Sequence, residues 1–217
     1  MARRLSTEEQ AALNAAKPRK TRKLVSGVGL NDADYAIGVI FEGRQIFCPI
    51  YSTWSNMLIR CYRPDRLAKF PTYAGCSVAD EWLTFSNFHS WMVEQDWEGK
   101  QLDKDILVSG NKVYSKETCA FIPPAINSLL TDHRTMRGQH PQGVHYCKRN
   151  RTFIAQIRFG GGKTRIGCFD TPEEAEQAYL KIKAEYIKQQ AYSYQLSPDV
   201  IHALHTIADS LIRRIAV

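Results

Sequence analysis

The chain has 217 residues, 44% hydrophobic and 24% charged, with a formal net charge of +7. That length and apolar content allow a proper core in one large or two modest domains. No signal-peptide core or membrane-length apolar run is present, so the reading excludes a membrane-spanning protein and expects the cytoplasm of the host cell.

The charge is unevenly placed: +5 over residues 1–23, −4 over 24–133, +8 over 134–169 and −2 over 170–217. Residues 1–23 are expected to be a basic, flexible arm outside any packed domain. Ser6 to Ala16 suits a short helix, with Ser6 and Glu9 as a capping box. The run Lys17-Pro18-Arg19-Lys20-Thr21-Arg22-Lys23 then adds a helix breaker to a cluster of cations. Such an arm either contacts phosphates or serves as a solubilising tail.

Residues 24–133 form the next unit. Tyr35 to Phe47 reads as a hairpin turning at Glu42-Gly43. Trp54, Met57, Leu58 and Cys61 recur at helical spacing, as do Trp82, Phe85, Phe88 and Trp91-Met92 with some drift; both stripes are expected in the core. Cys48, Cys61, Cys76 and Cys119 either supply a four-thiolate zinc site or stand as buried thiols, since paired Cys-x-x-Cys spacing is absent. Leu102-Asp103-Lys104-Asp105-Ile106, Gly110 to Ser115, Glu117 to Pro123 and then Asn127 read as strand, loop, strand and short helix. Asp103, Asp105 and Asn127 carry hard oxygen donors of the kind that suit magnesium or manganese. The alternative is a charged strand end with surface ion pairs.

Residues 134–142 are expected as a linker, and 143–192 as a three-stranded sheet followed by a helix. From Arg134 to Phe169 there are eight Lys or Arg and no Asp or Glu. Period-two alternation turns Phe153, Ala155 and Ile157 to one face and Gln156 and Arg158 to the other. Lys163 and Arg165 fall outward on the next strand, across a reversal at Gly160-Gly161-Gly162, and His145 falls outward on the first. Lys148, Arg149 and Arg151 crowd the first turn. Thr171, Pro172 and Glu174 then open a capped helix whose stripe of Ala175, Ala178, Tyr179, Ile182 and Tyr186 suits the apolar side of the sheet. A basic strand face presented in this way fits the major groove of double-stranded DNA, where guanidinium groups pair with guanine and amides with adenine.

The run Gly143-Val144, Phe153 to Arg158, Arg165 to Thr171, Glu173-Glu174-Ala175 and Ala178-Tyr179 resembles the three-stranded DNA-binding domain of the ethylene-response-factor family, whose relatives occur in phage and mobile-element endonucleases. That resemblance implies His145, Gln156, Arg158, Lys163 and Arg165 as the DNA-contacting set. Arg165 stands where the plant proteins commonly have tryptophan, so plant target preferences do not transfer. The earlier run, Trp54 to Met57, Arg60-Cys61-Tyr62, Glu81-Trp82, Leu102 to Asp105 and Tyr114 to Cys119, resembles phage-encoded, homing-type HNH nucleases. By that resemblance Asp103 is the first metal ligand and Asn127 the helix ligand. Lys104 then occupies the place of the general-base histidine, and Cys119 stands near the central asparagine. His133 or His140 is the remaining candidate base.

Ser197-Pro198-Asp199 starts a last amphipathic helix over 197–217, which either packs on the chain or supplies a homodimer interface. The fold class expected is therefore α+β, an HNH-like ββα domain followed by a sheet-plus-helix DNA-binding domain. The function expected is sequence-preferring DNA binding with metal-dependent endonuclease activity. The alternative is a non-catalytic DNA-binding regulator or host-takeover factor on an HNH-derived scaffold.

Overall fold

The structure is a computed structural model that describes residues 3–18, 23–131, 139–159 and 162–215. The arm residues Arg19 to Arg22, His133, and Gly160-Gly161 of the expected reversal lie outside the described residues. The chain is mixed α+β and divides into two compact units, 1–122 and 123–217. The division falls after Ile122, ahead of the expected 134–142 linker, because the short helix over 124–130 packs with the later elements.

In the first unit, α1 (Thr7–Ala15) carries the expected Ser6–Glu9 capping box. It does not belong to a detached arm: Leu13 is buried in the core, with Leu5 and Ala16 packed beside it. Three apolar side chains on one side of a short helix gain more by burial than a solvated arm would keep. A hairpin follows, β1 (Gly38–Phe41) against β2 (Arg44–Phe47). Its turn puts Glu42 at φ 47° and Gly43 at φ 73°, the two left-handed residues that match the twist of paired strands.

Helix α2 (Pro49–Tyr62) buries Trp54, Met57, Leu58 and Cys61, the predicted stripe, together with Ile50. After α3 (Pro64–Lys69) and a 3₁₀ turn at Pro71–Tyr73, β3 (Ser77–Val78) leads to a second 3₁₀ turn at Asp80–Leu83. The chain then breaks at Thr84 and α4 (Phe85–Val93) begins. That break explains the drift in the second stripe: Trp82 reaches the core from the 3₁₀ turn, while Phe85, Phe88 and Met92 reach it from α4. Trp54, Trp82, Phe85 and Phe88 are essentially solvent-free, and the Trp54 indole donates to the Trp82 carbonyl at 2.7 Å. Strand β4 (Gln101–Asp103) pairs antiparallel with β6 (Ala120–Ile122), while β5 (Val113–Tyr114) between them pairs parallel with β3.

The second unit opens with α5 (Pro124–Leu130) and continues with an antiparallel sheet of β7 (Val144–Cys147), β8 (Thr152–Phe159) and β9 (Gly162–Phe169) in that order. Helix α6 (Pro172–Ser193) packs on this sheet and starts with the predicted box of Thr171 and Glu174. Gly143, at φ 78°, admits the close approach of α6, since a Cβ there would lie 2.2 Å from the Tyr179 ring. Helix α7 (Pro198–Arg213) closes on α6 with Val200, Leu204 and Ala208 buried, so this stripe is covered within the chain. Among the described residues no helix is long and apolar enough to cross a membrane.

Candidate nucleic-acid interface and acidic loop

The sheet has one dry face and one open face. Ala155 and Ile157 of β8 are 0% and 2% exposed against α6. The register sets His145 opposite Ile154, Ile154 opposite Cys168, Gln156 opposite Arg165, and Arg158 opposite Lys163. Opposed residues share a face of a sheet, so His145, Gln156, Arg158, Lys163 and Arg165 line up together, with Cys168 among them.

A β-bulge makes this alignment. The register steps between Ala155 and Gln156, from Gly167 to Arg165, and leaves Ile166 unpaired. Without that step, strict alternation would place Arg165 opposite Ile157, on the face that α6 covers. The extra residue returns both Lys163 and Arg165 to the side of Gln156 and Arg158. Arg165 donates to the Cys168 sulfur along the same face.

The cations are open to solvent. His145, Lys148, Arg149, Arg151, Arg158, Lys163 and Arg165 are all exposed, and Gln156 is half-buried. Among the described residues, none of these cations forms an ion pair. The β7–β8 turn holds Lys148, Arg149 and Arg151, with Arg151 at φ 54°. A side chain in that left-handed region costs about 1–2 kcal/mol. Three strands span about 10 Å across the sheet, which suits a major groove about 12 Å wide.

The acidic loop is held by hydrogen bonds among its own residues. Asp103 Oδ1 accepts the backbone N–H groups of Asp105 and Ile106, both at 2.8 Å, and so closes the turn after β4. Burial pushes the Asp103 carboxyl above its ordinary value, against the pull of those two donors. Lys104 is 6% exposed, and its ammonium donates to both oxygens of Asp105 at 2.6 and 2.7 Å and to the Asn111 carbonyl at 2.8 Å. These three acceptors match the three donors that a lysine ammonium carries. Asp105 is committed to Lys104, and Asp103 to the turn.

Asn127 lies on α5 in the second unit, where its carbonyl accepts from the backbone and the hydroxyl of Thr131. Among the described residues, no three His, Cys, Asp or Glu side chains gather as a metal site needs. Asp103 Oδ1 and both oxygens of Asp105 thus hold hydrogen bonds within the loop. His140 packs edge-on against Phe153 at 5.3 Å between ring centres.

Cys48, Cys61, Cys76 and Cys119 are all buried and do not converge as a tetrad. Burial pushes the thiols of Cys61 and Cys119 up to about 12, which keeps them neutral. Cys119 does not brace the loop as the place of the central asparagine would imply. Asn111 does: its amide donates to the carbonyls of Lys104 and Val113 at 2.8 and 2.6 Å and accepts from the Val113 N–H at 3.1 Å. The sequence signal for it was Gly110-Asn111 itself, a turn pair midway between two strands. No protein-family model matches the chain, and neither do curated proteins or solved structures.

Proposed function

We propose that this chain is a double-stranded DNA-binding protein that lays the outer face of β7–β9 in the major groove and prefers particular sequences. The observation that carries the reading is the bulge-aligned row of Gln156, Arg158, Lys163 and Arg165 on one open face, free of carboxylates among the described residues. Arg158 and Arg165 read base edges bidentately, Gln156 pairs with adenine, and His145 and Lys163 flank them. Lys148, Arg149 and Arg151 hold phosphates beside the groove and set the docking position.

In this reading the first unit is a scaffold of HNH type that does not cut. The antiparallel pairing of β4 with β6 around a loop braced by Asn111 supports the likeness to the hairpin of that motif, while α5, the helix expected to complete it, belongs to the second unit. The engaged Lys104 ammonium and the occupied Asp103 carboxylate support a non-catalytic role over nuclease activity. Regulation or host takeover by a phage or mobile element is the setting that the resemblance implies.

The test is binding to duplexes selected from random sequence, together with incubation of supercoiled plasmid with magnesium or manganese. Arg158→Ala and Arg165→Ala are expected to reduce preference for the selected site by about 1–3 kcal/mol each, and Lys148→Ala or Arg149→Ala to weaken all duplexes alike. With about six phosphates neutralised, affinity should fall with a log–log salt slope near about −5. Equal losses on selected and random duplexes would refute base reading by the sheet, and a slope near zero would refute the phosphate contacts. Metal-dependent nicking by the wild type, lost in Asp103→Ala and Asn127→Ala, would replace the scaffold reading with a nuclease.

A further inference from the structure

A second basic and aromatic feature lies in the first unit, apart from the acidic loop. Asn56, Ile59 and Arg60 of α2, Arg66 of α3, and Phe70 and Tyr73 beyond it line a concavity of about 300 Å³. Arg60 is half-buried, its guanidinium 5.8 Å from the centre of the Tyr73 ring and its side chain close to that of Tyr114. Among the described residues no carboxylate pairs with Arg60 or Arg66, and the nearby Asp65 is taken by Arg63 at 2.9 and 3.0 Å.

Two guanidinium groups that no carboxylate pairs with among the described residues suit an anionic ligand. The walls say which kind. Phe70 keeps 42% of its surface exposed, although large aromatic side chains usually bury theirs. Lys69 lies over the Phe70 ring at 5.6 Å, and Lys112 donates to the Thr72 carbonyl at 3.1 Å, so the rim is cationic as well. Two guanidinium groups for a phosphate, a partly exposed ring for a planar base and an amide for its edge are the elements of single-strand recognition. A volume of this size is at the lower limit for small-ligand sites and has room for one nucleotide, not for a base pair.

We propose that this concavity binds one nucleotide with an unpaired base. Its phosphate lies on Arg60 and Arg66, its base lies against Phe70, and Asn56 meets the base edge. The site is independent of the sheet and does not rest on the reading of the sheet as a duplex binder.

The test uses the full chain with Lys148→Ala, Arg149→Ala, Arg151→Ala, Arg158→Ala, Lys163→Ala and Arg165→Ala, which removes the phosphate-binding and base-reading Lys and Arg residues proposed for the sheet. This protein is titrated calorimetrically with a short oligothymidylate and, separately, with thymidine monophosphate, each with and without inorganic phosphate as competitor. Arg66→Ala and Phe70→Ala alter exposed side chains and should leave circular dichroism unchanged while weakening binding about tenfold or more. Binding of the oligonucleotide alone identifies a nucleotide within a strand, and equal binding of the mononucleotide identifies a free one. Absence of binding to both ligands overturns the proposal, as does binding that Arg66→Ala and Phe70→Ala leave unchanged. Duplex binding by the unsubstituted chain is read separately and decides only the sheet.

Discussion

Substitution of Asp103 separates a turn-forming carboxylate from a metal ligand. In Asp103→Ala the N–H groups of Asp105 and Ile106 lose their shared acceptor. Asp105 is exposed, so water replaces one bond; Ile106 is 4% exposed, so its N–H is left with little access to water. An unsatisfied buried donor costs about 1–3 kcal/mol, which sets the expected loss at about 2 kcal/mol. Asp103→Asn keeps an oxygen in the same place and should stay within about 0.5–1 kcal/mol of the wild type. It also removes a charge that burial disfavours. Because burial raises the carboxyl's folded pKa, the stability contribution of Asp103 is fully present below the unfolded value near about 4 and is lost as pH rises through the folded one. The Asn variant should therefore gain on the wild type across that window and hold a constant difference above it. Urea unfolding from acid to neutral pH measures both effects. If Asn falls as far as Ala, the shared oxygen is not what holds the turn; if neither variant moves the midpoint, the turn does not depend on residue 103.

Three further outcomes follow from the packing. Gly143→Ala combines a positive φ with a Cβ driven into the Tyr179 ring, so the second unit should lose about 3 kcal/mol or more, with DNA binding lost alongside; an unchanged thermal midpoint would contradict the close approach of α6. At pH 8 an alkylating reagent should label exposed Cys168 quickly and spare Cys61 and Cys119, whose thiols burial holds at about 12. Their raised pKa also means that stability should decline as pH climbs from about 8.5 toward 12, and Cys61 labelling as fast as Cys168 would refute its burial.

Local order is largely written in the sequence. The boxes at Ser6–Glu9 and Thr171–Glu174 depend on residues three apart, and the stripe Trp54 to Cys61 on helical spacing, so both are legible without long-range contacts. The expected stripe of α6 is legible only in part: Ala175 and Tyr179 are buried, whereas Ala178, Ile182 and Tyr186 are half-buried and Leu180, Lys183, Ala184, Ile187 and Ala191 are buried instead, because both the sheet and α7 pack on this helix. Alternation likewise separates Ala155 and Ile157 from Gln156 and Arg158 within one strand. What alternation does not specify is how one strand meets the next. The bulge at Ile166, which aligns Arg165 and Lys163 with Gln156 and Arg158, is a matter of pairing between β8 and β9 and of the face that α6 covers.

The acidic loop shows the same limit more strongly. Asp103-Lys104-Asp105 carries the residue types of a metal site or of a surface ion pair, and composition does not choose between them. The partners these groups take depend on Asn111, seven residues beyond Lys104, whose carbonyl accepts a hydrogen bond from the lysine while its amide ties the loop to β5. Docking of α1 through Leu13 and the break at Thr84 that lets Trp82 reach the core are also tertiary outcomes, each decided by apolar surface that only the assembled unit provides. The sequence by itself thus determined the helices, the strand faces and the placement of charge, because those follow from near neighbours along the chain. Register, burial of the lysine and engagement of the carboxylates were decided by the tertiary structure, because a side chain's partner is set by what folds against it.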